Sequence, residues 1–150
     1  MKTLVDDKDK KILDLLISNS SMTSKELSKA LRMPITTVHH RIKRLKQQGI
    51  IKNFTITIDY EKLGYAINAY ILAEVDYDQL KKEKITQHEL VERLSKYPEI
   101  VFAEIVTGET DIILKLRMKS IAELDEFIVR ILRNIQGIAK TKTLVVLHHS

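Results

Sequence analysis

No cysteine occurs anywhere in the 150 residues. That excludes disulfides and thiolate metal sites, and it gives no sign of an oxidising compartment. No apolar run reaches the roughly 18 residues that suggest a membrane span. The opening MKTLVDDKDK carries acids where a signal peptide keeps an apolar core. A soluble, cytoplasmic protein without a membrane partner is expected. With four glycines and 30% charged residues, the composition leans towards that of thermophile proteins. No phosphate-binding P-loop, no G-x-G-x-x-G and no H-E-x-x-H is present. The histidines do not make up for this. His39 and His40 are neighbours on one helix and diverge by about 100°. His148 and His149 point to opposite sides of a strand end, and His88 falls in a helix's first turn. No catalytic residue, metal or cofactor is therefore expected, and the chain reads as a non-enzyme.

What the sequence does have is a lopsided charge. Residues 1–60 hold 12 Lys+Arg against 6 Asp+Glu, whereas residues 61–150 hold 13 against 14. A basic first part joined to a near-neutral second part points to a polyanion binder attached to something else.

The first part reads as three helices. DDKDKKILDLLISNS has Asp6 or Asp7 as its cap and Ile12, Leu13, Leu16 and Ile17 as its apolar side. TSKELSKAL opens with a capping box, Thr23 and Glu26, and presents Leu27, Ala30 and Leu31. Pro34 breaks it. The third helix runs from about Ile35 to Gln48, with Ile35, Val38, Ile42 and Leu45 spaced for one buried face and Gly49 as its stop. IIKNFTITID then alternates like a strand, and YEKLGY reads as a turn or linker.

From Ala66 the pattern changes to AINAYILAEVD (strand), ITQHELVERLSKYP (helix), IVFAEIV (strand), the turn TGET, DIILKLRM (strand), SIAELDEFIVRILRNIQG (helix) and IAKTKTLVVLHH (strand). Thr86/Glu89 and Ser120/Glu123 have capping-box spacing. Ile121, Leu124, Ile128, Ile131 and Ile135 keep helical period, and Ile112, Leu114, Leu116 and Met118 share one strand face. The fold class is α+β. A helix-turn-helix domain of three helices plus a strand spans residues 1–60, a linker 61–65, and a ferredoxin-like βαββαβ domain 66–150.

In a helix-turn-helix the second helix of the pair enters the major groove. The faces of the third helix left over from packing carry Thr36, Thr37, His39, His40, Lys43 and Lys46. Thr36, Thr37 and His40 lie early enough to reach base edges. Arg41, Lys43, Arg44 and Lys46 suit phosphates, and Thr23 and Ser24 stand where free helix N–H groups can meet one. The expected partner is double-stranded DNA with a pseudo-palindromic operator.

DDKDKKILDLL, TSKELSKAL and TTVHHRIKRLKQQGII, with DYEKLGY and VTGETDIILKL, together resemble the Lrp/AsnC family of feast/famine regulators over nearly the whole chain. The resemblance implies a C-terminal effector and oligomerisation domain, homodimers assembling further, often to octamers, and a small effector, usually an amino acid, bound between dimers near the Gly–Asp hairpin. The hairpin residues Thr107, Gly108, Glu109, Thr110 and Asp111 become candidates: backbone N–H groups for an α-carboxylate and Asp111 for an α-ammonium. Thr141 and Thr143 match the family's Thr-x-Thr. Glu104 would select a lysine or arginine effector if it reaches the site, and is otherwise a solvated edge residue. The helix-turn-helix turn departs from the family, with Arg32, Met33 and Pro34 where Gly-Leu-Ser is common. Two other readings stay open: an architectural chromatin protein with little sequence preference, and a tetrapyrrole decarboxylase of similar fold, which would need no basic recognition helix.

Overall fold

The computed structural model describes residues 5–148. The extreme N-terminus and His149, both used above, lie outside the described residues. The chain divides into two compact units, residues 1–58 and 59–150.

The first unit holds α1 (Asp7–Ser18), α2 (Ser24–Leu31) and α3 (Ile35–Gln47). Asp6 caps α1 and forms a reciprocal box with Asp9. Thr23 and Glu26 do the same for α2. Ile12 and Leu16 of α1, Leu27 of α2 and Val38 of α3 make the buried centre, with Leu15, Leu31 and Ile42 packed against it. The outer turns differ from expectation: Ile17 and Ile35 are exposed, at 82% and 47%. Residues 52–59 form no strand. Their alternation is real, but no other segment of the described chain offers a backbone ladder to them. Phe54, Ile56 and Ile58 therefore remain exposed.

The second unit is a four-stranded antiparallel sheet, β1 (Ile67–Val75), β2 (Ile100–Ile105), β3 (Ile112–Met118) and β4 (Ile138–Val145), in the order β2-β3-β1-β4. This is the split βαβ arrangement. One face is covered by α4 (Tyr77–Glu83), α5 (Gln87–Leu94) and α6 (Ile121–Glu126). Ala69, Ile71, Ala73 and Val75 of β1 meet Ile112, Leu114, Leu116 and Met118 of β3 beneath Leu80, Leu90, Leu94, Leu124, Phe127 and Leu132. The short helix α4 was not foreseen in the sequence. After α6 the chain makes a π turn over Phe127–Ile131 and a 3-10 turn over Leu132–Asn134. The wider turn brings Leu132 to the buried position and leaves Ile128, Ile131 and Ile135 only partly covered; Ile121, ahead of the turn, is exposed.

Among the described residues of this unit, no helix packs on the other face. Register places Tyr70, Leu72 and Glu74 of β1, Ile113, Lys115 and Arg117 of β3, Phe102 and Glu104 of β2, and Lys140, Lys142 and Leu144 of β4 on it.

Candidate nucleic-acid interface and ligand cleft

Val38 and Leu45 seat α3 in the core, so its opposite side faces out. Thr36, Thr37, His40, Arg41, Lys43, Arg44 and Gln47 line a concavity of about 650 Å³ along that side. Gln47 escaped the sequence reading. Its signal was periodic, since positions 36, 40, 43 and 47 follow one helical stripe. His39 stands beside this stripe, edge-on to the His40 ring at 6.2 Å. Lys46 turns to the ring of Phe54, 4.5 Å from its centroid.

The basic residues of α3 do not all serve the same surface. Arg41 Nη1 donates to Asp6 Oδ1 and Oδ2 at 2.8 and 2.7 Å and to Asp9 Oδ1 at 2.8 Å. Arg44 Nη2 donates to Asp9 Oδ2 at 2.5 Å. Asp9 is fully buried. These bonds hold the Asp6 carboxyl at about 2 and raise the Arg41 guanidinium further. Arg41 is thus committed to α1 rather than standing free for a phosphate. Thr23 and Ser24 do not line the concavity. The Thr23 hydroxyl and N–H are both held by the Glu26 carboxylate, at 2.8 and 2.7 Å. That carboxylate occupies the helix N-terminus an anion would need, and the Thr23 bonds keep its pKa low.

In the second unit, the hairpin between β2 and β3 turns at Gly108, whose φ of 128° suits glycine. Glu109 and Thr110 join Leu72, Glu74, Lys140, Thr141 and Lys142 around a cleft of about 320 Å³. Lys140 pairs with Glu74 at 3.6 Å. Thr107, Gly108 and Thr143 are not among its lining residues. Thr141 and Thr143 pair with Ala73 and Ile71 and so belong to the helix side of the sheet, while Lys140 and Lys142, which alternate with them, belong to the open side. Glu104 sits on β2, separated from β4 by both β3 and β1.

Asp111 has another occupation than the one expected for it. Its Oδ2 accepts from the Val75 N–H at 2.8 Å and its Oδ1 from the Tyr77 hydroxyl at 2.9 Å. Its backbone N–H donates to Ala73 O at 3.1 Å. Both carboxylate oxygens are used in fastening the hairpin to the end of β1.

The Lrp/AsnC ligand binding domain matches residues 70–150, and a winged helix-turn-helix DNA-binding domain matches residues 5–52. An uncharacterized HTH-type transcriptional regulator of Pyrococcus furiosus is 40% identical over 145 residues, covering 97% of this chain and 94% of its own. The chain belongs to the Lrp/AsnC family of transcriptional regulators. As an Lrp/AsnC protein it is a DNA-binding regulator that carries a ligand-binding domain. E. coli AsnC superposes with a TM-score of 0.83 at 27% identity, over 97% of this chain and 93% of that one. A P. furiosus regulator of the AsnC family does so with 0.80 at 29%, over 97% and 92%.

The turn that departs from the family's common motif keeps the geometry a glycine would supply. Arg32 closes α2 in the left-handed region, at φ 50° and ψ 44°, and the Met33 N–H reaches back to Ser28 O at 3.1 Å. No described helix of this Lrp/AsnC chain is long and apolar enough to cross a membrane.

Proposed function

We propose that this regulator reads a pseudo-palindromic operator by inserting α3 into the major groove, and that a small amino-acid effector modulates the reading. The observation that carries the proposal is the stripe of Thr36, Thr37, His40, Lys43 and Gln47 on the outward side of α3. These are hydrogen-bonding side chains at the N-terminal and middle turns, backed by a buried apolar face.

Two copies of α3 are needed for a palindrome, and the open face of the sheet supports a homodimer. Tyr70, Leu72, Phe102, Ile113 and Leu144 give it apolar side chains among charged ones of both signs, a mixture that suits a subunit interface with a polar rim. Further assembly to an octamer would bring hairpins of different dimers together. The cleft by the hairpin offers both charge signs, Glu74 and Glu109 against Lys140 and Lys142, which suits the ammonium and carboxylate of an amino acid. Glu104 does not line this cleft, so a preference for lysine or arginine has no support there.

The test is selection of bound sequences from a random duplex pool, with and without a mixture of amino acids. A palindromic motif whose enrichment changes with the mixture is expected. Salt-sensitive binding without any motif would instead favour the architectural reading. Lys43→Ala should lower affinity for all sequences and reduce the salt slope by about 0.9; His40→Ala should change the motif. If neither variant changes binding, α3 is not the reading helix.

A further inference from the structure

Asp9 is the one buried charged residue among the described residues. A lone buried carboxylate is costly, and this one has two arginines of α3 on it, one at each oxygen. The two arginines differ. Arg41 is mostly enclosed, with 19% of its side chain exposed, and it also binds Asp6. Arg44 is 45% exposed and bonds Asp9 through one terminal nitrogen. A guanidinium has five N–H donors in a fixed plane. Holding one nitrogen from behind leaves the others directed outward, into the concavity where Thr36, His40, Lys43 and Gln47 also stand.

We propose that Asp9 is a positioning residue for DNA recognition: from inside the domain it aims the free guanidinium edge of Arg44 at a backbone phosphate beside the groove. The inference rests on α3 being the reading helix. An untethered arginine spreads over many rotamers and attracts any phosphate. A tethered one accepts a phosphate only where α3 is correctly seated. The aspartates also offset the charge of Arg41 and Arg44 as seen from a distance. The pair therefore adds little to the long-range pull on DNA and acts through geometry. Asp9 in this way favours the right register over general attraction.

The experiment uses the full chain, the motif selected from the random duplex pool, and the unselected pool as competitor. Asp9→Asn should lower affinity for the motif while affinity for the unselected pool holds or rises, because the variant loses a negative charge. The ratio of the two should fall roughly tenfold, as for the loss of one oriented charge-assisted contact. In an Arg44→Gln background the same Asp9→Asn change should no longer alter the ratio. A purely structural Asp9 would lower both affinities together and leave the ratio unchanged, which overturns the proposal.

Should Asp9→Asn fail to fold by its thermal melt, Arg44→Lys decides the matter. It keeps the charge and loses the planar fork, so the ratio should fall; an unchanged ratio overturns the proposal here too. If the wild-type chain selects no motif, the reading of α3 fails and this inference with it. A motif together with an unmoved ratio removes the inference alone.

Discussion

One guanidinium nitrogen of Arg41 lies 2.7 Å from Asp6 and 2.8 Å from Asp9, tying the middle of α3 to the start of α1 across 32 residues of sequence. The bond is a tertiary contact made of charge in a domain whose apolar centre is small. Arg41→Ala should destabilise the helical unit by about 2–3 kcal/mol, less than for a wholly buried pair because Arg44 still serves Asp9 and Asp6 is half open to water. Urea unfolding followed by helical circular dichroism measures this. The salt slope of DNA binding should stay unchanged in the folded variant, since the charge of Arg41 is already spent on the aspartates.

The same cluster sets an acid limit. Arg41 holds the Asp6 carboxyl at about 2, below its ordinary 3.8. A carboxylate depressed by folding contributes stability that is present above the unfolded value and lost as pH falls through the folded one. The helical unit should therefore weaken between pH 3.8 and about 2. Asp6→Asn should flatten the melting temperature across that window, at the cost of lower stability near neutrality.

Asp111 and Tyr77 make a counterpart in the second unit. The carboxylate raises the Tyr77 phenol above its ordinary value of 10.0. The sign is now reversed: the stabilisation is complete below the unfolded value and fades as pH rises through the folded one. Asp111→Asn should bring the phenol back towards 10.0 in an ultraviolet titration. Asp111→Ala also leaves the Val75 N–H without its acceptor, and should destabilise the domain by about 1–3 kcal/mol.

Gly137 leads into β4 at φ 95°. A Cβ there would run into Cδ2 of Leu80 on α4, a buried side chain with little room to give. Gly137→Ala should cost about 2–3 kcal/mol in denaturant unfolding, from crowding and backbone strain together. Shortening the obstacle as well, with Leu80→Val, should recover part of the loss. If the single variant unfolds like the parent chain, the contact is slack.

The local chemistry of this fold was legible in the sequence. The Thr23/Glu26 and Thr86/Glu89 boxes form as their spacing implies. Ser120 caps α6 as expected, although Glu123 reaches one residue further, to the Lys119 N–H. The alternation of Ile112 to Met118 gives the buried face of β3 directly. What could not be read depends on distant partners. Arg41 and Asp9 meet only in the folded chain, and from the sequence Arg41 was indistinguishable from Lys43 as a phosphate contact. Asp111 is a ligand candidate by the family resemblance, and its fastening role was not legible because its donors, the Val75 N–H and the Tyr77 hydroxyl, lie 36 and 34 residues away. The segment after α3 has a strand's pattern, yet pattern cannot supply the neighbour a strand needs.

The sheet's two outer strands share a property that follows from their irregularities. In β2 the pairing slips between Ile100 and Phe102, so Val101 breaks the ladder near one end. In β4 Lys140 and Lys142 alternate along the opposite margin. Bulges and lysines are how natural sheets resist adding a stranger's strand and growing into aggregates. Both margins are thus guarded against edge-to-edge growth, so open-ended strand addition is disfavoured at each end of the sheet.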